Sequence, residues 1–307
     1  MANTTTGVFQ ELVLPAIAEV QTPPEFTHAM LSRIWIVPRV VQSTVGEVIN
    51  VNIPIITEAD VTDIGIGSVV ITDATHTNVP MTVNNNLSIA RRIQDFVGVR
   101  SPLDFKQMYL QPMLETLSRR VNEAVTDLVT AANFAVHASI TGGADTFTRA
   151  NLSTAWGNLM TVGVPNDPAN LFFVTHPIPY ATMLADTTWI QESIVGINAA
   201  EAAQQRTRII SGLGAEFAFD QKFPLPAAGT YAGLLFHRWA ISMQPVQTPF
   251  SGSPHVEETT YTVPGTEVGF RLQIWYDPSA QGFILHAHCV FALAVTRPNF
   301  GSFLVTT

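Results

Sequence analysis

Residues 110–129 read LQPMLETLSRRVNEAVTDLV, and the spacing of their apolar positions is the strongest organising signal in the chain. Leu114, Leu117, Val121, Val125 with its neighbour Ala124, Leu128 and Ala132 recur at intervals of three and four, the period that gathers side chains on one face of an α-helix. Glu115, Arg119, Arg120, Glu123 and Asp127 fall on the other faces. Pro112 marks a kink or a fresh start. Upstream, Ser101-Pro102-Leu103-Asp104 combines an N-cap serine with proline at the first helical position. Thr141-Gly142-Gly143 is the stop signal downstream, so the expected helix runs from about Leu110 to Ser139, roughly 45 Å at 1.5 Å per residue. Few compact domains of this size need so long a rod.

On the N-terminal side of the helix, the chain reads as strands preceded by an arm. Pro15, Pro23, Pro24 and Pro38 break any long helix in the first forty residues and leave an extended arm with one or two helical turns. Phe26, Met30, Leu31, Ile34 and Trp35 in that arm need burial, which predicts docking on the same or a neighbouring subunit. VGEVINVNIP (45–54) reads as a strand ended by proline. The polar stretch ITEADVTDIGIGS and a second β-rich run, Ser68–Thr72, complete a long hairpin with a flexible tip. MTVNNNLSIA (81–90) reads as a further strand or edge segment.

Beyond the helix the pattern changes to alternation. A helix-like segment covers Thr148–Thr161, an apolar strand Leu171–His176 and a short proline-started helix Ile178–Ala185. A strand at Gly212–Asp220 and the apolar run AGLLFHRWAISM (232–243) follow. This is a mixed α+β unit around a small sheet, with boundaries at the glycines after Ser139 and in the turn-rich stretch Gln247–Pro254. Val268–Tyr276 and Gly282–Val295 are long strands on either side of the turn Asp277-Pro278-Ser279-Ala280-Gln281. Elements before and after the inserted unit are therefore expected to share one sheet.

Composition sets limits on function. Asp, Glu, Lys and Arg make up 13% of the 307 residues, against roughly 25% in an average soluble domain, so something other than water is expected to cover much of this surface. Apolar residues reach 47% and the mean hydropathy is +0.23. The longest uncharged stretch, Pro278–Thr296, is interrupted by Gln281, His286 and His288, and its apolar core is shorter than the roughly 20 residues a spanning helix requires. MANTTTGVFQELVLP lacks the basic and apolar regions of a signal peptide, making cytoplasmic synthesis the expectation. The net charge is −9, with two lysines, Lys106 and Lys222. A nucleic-acid binder needs a basic stripe to neutralise phosphates, and none is visible. A single cysteine, Cys289, rules out an internal disulfide framework.

The sequence supports no catalytic residue, cofactor site or metal site. His286, His288 and Cys289 form HAHC, but on a strand the histidines share one face and the cysteine points to the other, and no further ligand cluster lies at metal-binding spacing. Gly65-x-Gly67 and Gly212-x-Gly214 lack the frame and third glycine of a dinucleotide loop. No GxSxG, HExxH, Walker or CxxC motif is present. Glu257-Glu258 reads as solvated loop charge. The sequons at Asn3, Asn86 and Asn151 are chance matches in a chain without a secretion signal.

The order of elements resembles the major capsid (coat) proteins of tailed bacteriophages, whose shell fold encapsulins share. VGEVINVNIP looks like the start of that family's extended loop, and LQPMLETLSRRVNEAVTDLV like its spine helix. GLGAEFAFDQKFP with AGLLFHRWAISM is similar to the strand, loop, strand and helix near the end of its axial domain, and RLQIWYDPSAQGFILHAHCVFALAVTRPNF to its closing strands. The resemblance covers about Val45 to Phe300 and implies an α+β fold. Its parts would be an N-terminal arm (1–40), an extended β-hairpin loop (41–72), a peripheral domain with the long spine helix (73–140), an axial α+β domain (141–261) and closing strands that return to the peripheral domain (262–307).

The resemblance further implies a non-enzymatic subunit that assembles with itself as hexamers and pentamers into an icosahedral shell. The shell would be built in the bacterial host cytoplasm, reside in the virion and enclose DNA without sequence-specific contacts. Portal and scaffolding proteins, and in some relatives a decoration protein, are the implied partners; no membrane is involved. Expected inter-subunit contacts are Glu47, Glu58, Asp60 and Asp63, meeting arginines of an adjacent subunit, together with Phe26 and Trp35. With no lysine between Val45 and Ser68, the lysine cross-link that some relatives form in this loop is ruled out. The alternative within the same fold is an encapsulin-type compartment. Those proteins usually open with a helix at the cargo pocket, whereas this chain opens with a proline-broken arm.

Overall fold

A computed structural model describes residues 29–37, 41–42, 45–55, 75–94, 106–140, 147–185, 211–227, 229–247, 256–262, 268–279 and 281–306. In chain order its strands are β1 (Trp35–Ile36), β2 (Val41–Gln42), β3 (Val48–Ile55), β4 (Thr75–Thr82), β5 (Asn85–Gln94), β6 (Ala135–Ile140), β7 (Leu171–Thr175), β8 (Ser211–Gly212) and β9 (Ala215–Phe219). They continue with β10 (Ala232–His237), β11 (Ile241–Gln247), β12 (Glu257–Thr262), β13 (Gly269–Asp277), β14 (Gly282–Val295) and β15 (Gly301–Thr306). The α-helices are α1 (Gln111–Thr126), α2 (Arg149–Thr161) and α3 (Pro177–Ala185).

α1 follows a π-helical turn at Lys106–Leu110, and Pro112 stands in its first turn, where a missing N–H costs nothing. Leu114, Leu117, Val121 and Val125 are buried on one face, as their spacing requires. The helix is shorter than the apolar period suggests: 16 residues, roughly 24 Å, ending at Thr126 rather than near Ser139. Thr126 Oγ1 donates back to Glu123 O at 2.8 Å, and Asn133 Nδ2 donates to Leu128 O at 2.8 Å, closing the turn that follows. Residues 135–140 then enter a sheet, pairing in parallel with β15. Phe134 drives this exit. Its ring lies so close to Gly301 that a Cβ there would meet Cδ1 of Phe134 at 2.5 Å, so glycine is required.

The apolar face of α1 shares one core with residues of both large sheets. The seven-stranded sheet runs β1-β11-β14-β13-β12, with β2 added on β11 and β5 on β14. Phe270, Leu272, Ile274, Leu285, Ala287, Cys289 and Phe291 form its helix-facing side. The six-stranded sheet runs β6-β15-β10-β7-β9-β8. Phe172, Val174, Leu234 and Phe236 on one face join the α1 core, while Phe173, Phe217, Leu235 and Leu304 on the other pack with α2 and α3. β10 is buried along its whole length because both its faces are covered.

The run Ala232–Met243 does not stay in one unit. β10 belongs to the six-stranded sheet and β11 to the seven-stranded one, with a 3₁₀ turn at Arg238–Ala240 between them. The change of sheet therefore falls at 238–240, ahead of the expected boundary in Gln247–Pro254. β13 and β14 join the seven-stranded sheet with β5, so elements on both sides of the insertion do share a sheet. The final strand does not return with them. Thr296 anchors to Trp239 O and Ala240 O, the turn Pro298–Phe300 redirects the chain, and β15 pairs with β10.

β3 and β4 form a separate two-stranded antiparallel ribbon, from Val48 opposite Thr82 to Ile55 opposite Thr75. The return strand observed is Thr75–Thr82; the expected one at Ser68–Thr72 and the tip lie outside the described residues, as does the Ser101 helix start. Pro54 and Pro80 are tolerated because a ribbon has open edges.

Candidate assembly surfaces

Among its described side chains, the ribbon is buried at its foot alone. Val51, Met81 and Val83 pack against Val246, Val290 and Ala292 of the seven-stranded sheet, with Trp35 and Ile49 alongside. Further out, the described side chains at 52, 53 and 76–79 are exposed or half-exposed, and even at the foot Val48 keeps 51% of its surface. A lone two-stranded ribbon is at best marginally stable in water, so its exposed length calls for a partner.

Glu47 is exposed where the ribbon begins, its carbonyl accepting from Val83 N at 2.9 Å beside Gly46, whose φ of +94° suits glycine. Trp35 is half-buried in β1, which runs parallel to β11 opposite Ser242. The structure thus places Glu47 and Trp35 near the same ribbon foot. Glu58, Asp60, Asp63 and Phe26 lie outside the described residues.

The segment 29–37 docks within its own chain. Ala29, Met30, Leu31 and Ile34 are buried in the α1 core. The N–H groups of Met30 and Leu31 donate to Asn122 Oδ1 at 3.2 and 3.1 Å, and Asn122 Nδ2 donates to Asp220 Oδ2 at 2.5 Å. Arg33 pairs with Glu216 on β9, and Arg238 Nε donates to Ile34 O at 3.1 Å. Sequence reading missed Asn122, although a signal existed: Ser118, Asn122 and Thr126, spaced by four, are small polar residues along the edge of the apolar stripe. All three are buried.

The face of the seven-stranded sheet opposite α1 carries a polar ladder. Arg271 donates to Glu258 Oε2 at 2.5 Å, Gln273 Nε2 to Glu258 Oε1 at 3.1 Å, and Gln273 Oε1 lies 2.9 Å from His286 Nδ1. His286 and His288 stack at 5.3 Å between ring centroids. Burial lowers both imidazoles, aided by nearby positive charge, and His288 falls to about 4. At neutral pH the pair is therefore uncharged. Glu258 is no solvated loop charge: its side chain is 7% exposed and held by Arg271. Cys289 points to the α1 core, where burial pushes its thiol up to about 12, far from nucleophilic. Among the described residues, no three His, Cys, Asp or Glu side chains gather as a metal site.

No protein-family model matches the sequence, and no curated protein sequence matches it. Solved structures do. A chain from Mycobacterium phage Che8 aligns with a TM-score of 0.55 and 15% identity over 95% of this chain and 90% of that one. A chain from the capsid of the Cyanophage P-SCSP1u aligns at 0.56 and 15% identity, over 94% and 88%. One from the mature capsid of bacteriophage PhiM1 aligns at 0.53 and 11% identity, over 94% and 89%. These likenesses span nearly the whole molecule, both sheets included, and the chain has the α+β fold of phage capsid proteins.

Proposed function

We propose that this chain is the major capsid protein of a tailed double-stranded DNA phage, a wall-building subunit rather than an enzyme. The observation that carries this reading is an end-to-end structural likeness to phage capsid chains, covering 94% of this one. The exposed ribbon supports it, because its length beyond the foot is suited to burial against a neighbouring subunit. The sparse charge supports it too, since a subunit hidden on several sides needs less charged surface.

In this reading the chain assembles as hexamers and pentamers in the bacterial host cytoplasm, with portal and scaffolding proteins and, where present, a decoration protein. The ribbon serves as the extended loop, α1 with the seven-stranded sheet as the peripheral domain, and α2, α3 and the six-stranded sheet as the axial domain. Acidic residues Glu47, Glu58, Asp60 and Asp63 meet arginines of the adjacent subunit, for which Arg91 and Arg92, exposed on β5, are suited. Phe26 and Trp35 add apolar contact. A net charge of −9 suits a wall from which DNA must be released. Negative-stain microscopy of the expressed chain, alone and with its scaffold, tests the reading. Closed shells or capsomer sheets are expected; a 33.4 kDa monomer under every salt and scaffold condition overturns it.

A further inference from the structure

The hydrogen bonds around Asn122 have a direction. Backbone N–H groups can only donate, so Met30 and Leu31 hold the Asn122 amide with Oδ1 toward the segment 29–37 and Nδ2 toward Asp220. Asp220 must then accept on both oxygens, Oδ2 from Asn122 and Oδ1 from the Lys222 N–H at 2.9 Å. Donors at both ends thus define a pattern that an ionised carboxylate completes. Asn122 and Asp220 are 1% and 3% exposed, so water cannot repair a mismatch.

A proton on Asp220 breaks the pattern. It cannot settle on Oδ1, where a backbone N–H already points, so it enters on Oδ2 and confronts the Asn122 NH₂ group, donor against donor. Reversing the amide relieves that clash, because Oδ1 then accepts from the carboxyl O–H. The same reversal turns Nδ2 onto the N–H groups of Met30 and Leu31. The conflict has moved to the docked segment.

We propose that Asp220 and Asn122 form a proton-operated latch on the segment 29–37: the ionised acid holds the segment docked, and a proton on Oδ2 reverses the amide and loosens it. Burial raises the Asp220 carboxyl above the ordinary range, bringing the switch closer to neutral pH. The charged and titratable groups around it are Glu123 on α1, which raises the carboxyl further, His176 beyond β7, which lowers it, and Lys222 in the following turn, whose Nζ lies 4.0 Å from Glu123. The latch lies inside one chain, so its operation does not depend on shell assembly.

Hydrogen–deuterium exchange of residues 29–37 in the full chain, corrected for the intrinsic pH dependence of exchange, tests it at about pH 7.5 and about pH 4.5. Wild-type protection is expected to fall about tenfold or more at the lower pH. Asp220→Asn imposes one donor and one acceptor, as the protonated acid does, and is expected to be loose at both pH values. The double variant Asn122→Asp/Asp220→Asn restores the pattern in reverse: the new carboxylate at 122 accepts from Met30, Leu31 and the new amide at 220, whose oxygen accepts from Lys222. At about pH 7.5, where the single variant is loose, it is expected to be protected. Equal wild-type protection at the two pH values, full protection in Asp220→Asn, or a double variant as loose as the single one at about pH 7.5 each overturn the latch. Should Asp220→Asn fail to fold, the wild-type pH response and the double variant decide.

Discussion

The six-stranded sheet and the β3–β4 ribbon share regular antiparallel pairing yet hold together by opposite means. β10 is buried along all its positions between β7 and β15, and Phe173 on the neighbouring β7 meets Phe147 and Phe217 edge-on at 5.7 and 5.3 Å. The ribbon pairs just as regularly, residue for residue from Val48 to Ile55, but is buried only at its foot among the described residues. Backbone pairing is thus common to both, and side-chain burial separates them. One region is stable by virtue of its own subunit. The other has been left for something outside it to cover.

The largest change that breaks this contrast is made in the sheet. Phe173→Ala removes a side chain with no exposed surface and is expected to cost about 3–5 kcal/mol, read from denaturant unfolding of the unassembled subunit. A loss under about 1 kcal/mol contradicts the claim that this sheet carries its own stability. Next is the ladder on the seven-stranded sheet. Arg271→Met leaves the Glu258 carboxylate, 7% exposed, without its nearest cation, and a loss of about 3 kcal/mol is expected in the same measurement.

A smaller effect depends on pH. His288 has a folded-state pKa of about 4, below the ordinary 6.5, so the unfolded chain takes up a proton that the folded chain refuses. Stability from the neutral ring is complete above about pH 6.5 and is lost as pH falls toward about 4. Because the ring is half-exposed, the loss is on the order of 1 kcal/mol after solvent screening. Asp220, raised by burial, acts in the opposite direction. The comparison is therefore between wild type and His288→Gln, whose melting temperatures should differ less at about pH 5 than at about pH 7. A constant difference removes His288 from the acid response.

The smallest expected effect on the subunit sharpens the contrast from the ribbon side. Glu58→Lys/Asp60→Lys should leave subunit unfolding within about 0.5 kcal/mol of wild type while reducing the yield of normal-sized shells under negative stain. Normal shells from the double variant separate these acids from assembly.

Where sequence reading succeeded, the signal was local. The apolar period of α1, Pro112 as a fresh start, the helical segment Thr148–Thr161 and the shared face of His286 and His288 all follow from side-chain geometry within one element. The resemblance of element order was sufficient to anticipate the fold. The helix end, in contrast, was misplaced, because Leu128 and Ala132 continue the period while Phe134 packs on Gly301 from the far end of the chain. The crossing at Arg238–Ala240 was hidden inside a continuous apolar run, since both sheets demand the same residue types.

Of the six expected contact residues, Glu47 and Trp35 fall near the ribbon foot, and Glu58, Asp60, Asp63 and Phe26 lie outside the described residues. The docking of segment 29–37 was legible as a need for burial, not as a place. By itself the sequence determined which faces are apolar, which turns are permitted and how little charge the surface carries, for these depend on neighbours within a few residues. Tertiary structure alone decided where α1 stops, which sheet each strand joins and what Asn122 holds. Those outcomes rest on contacts across about ninety residues and more, and such partners leave no period in the chain.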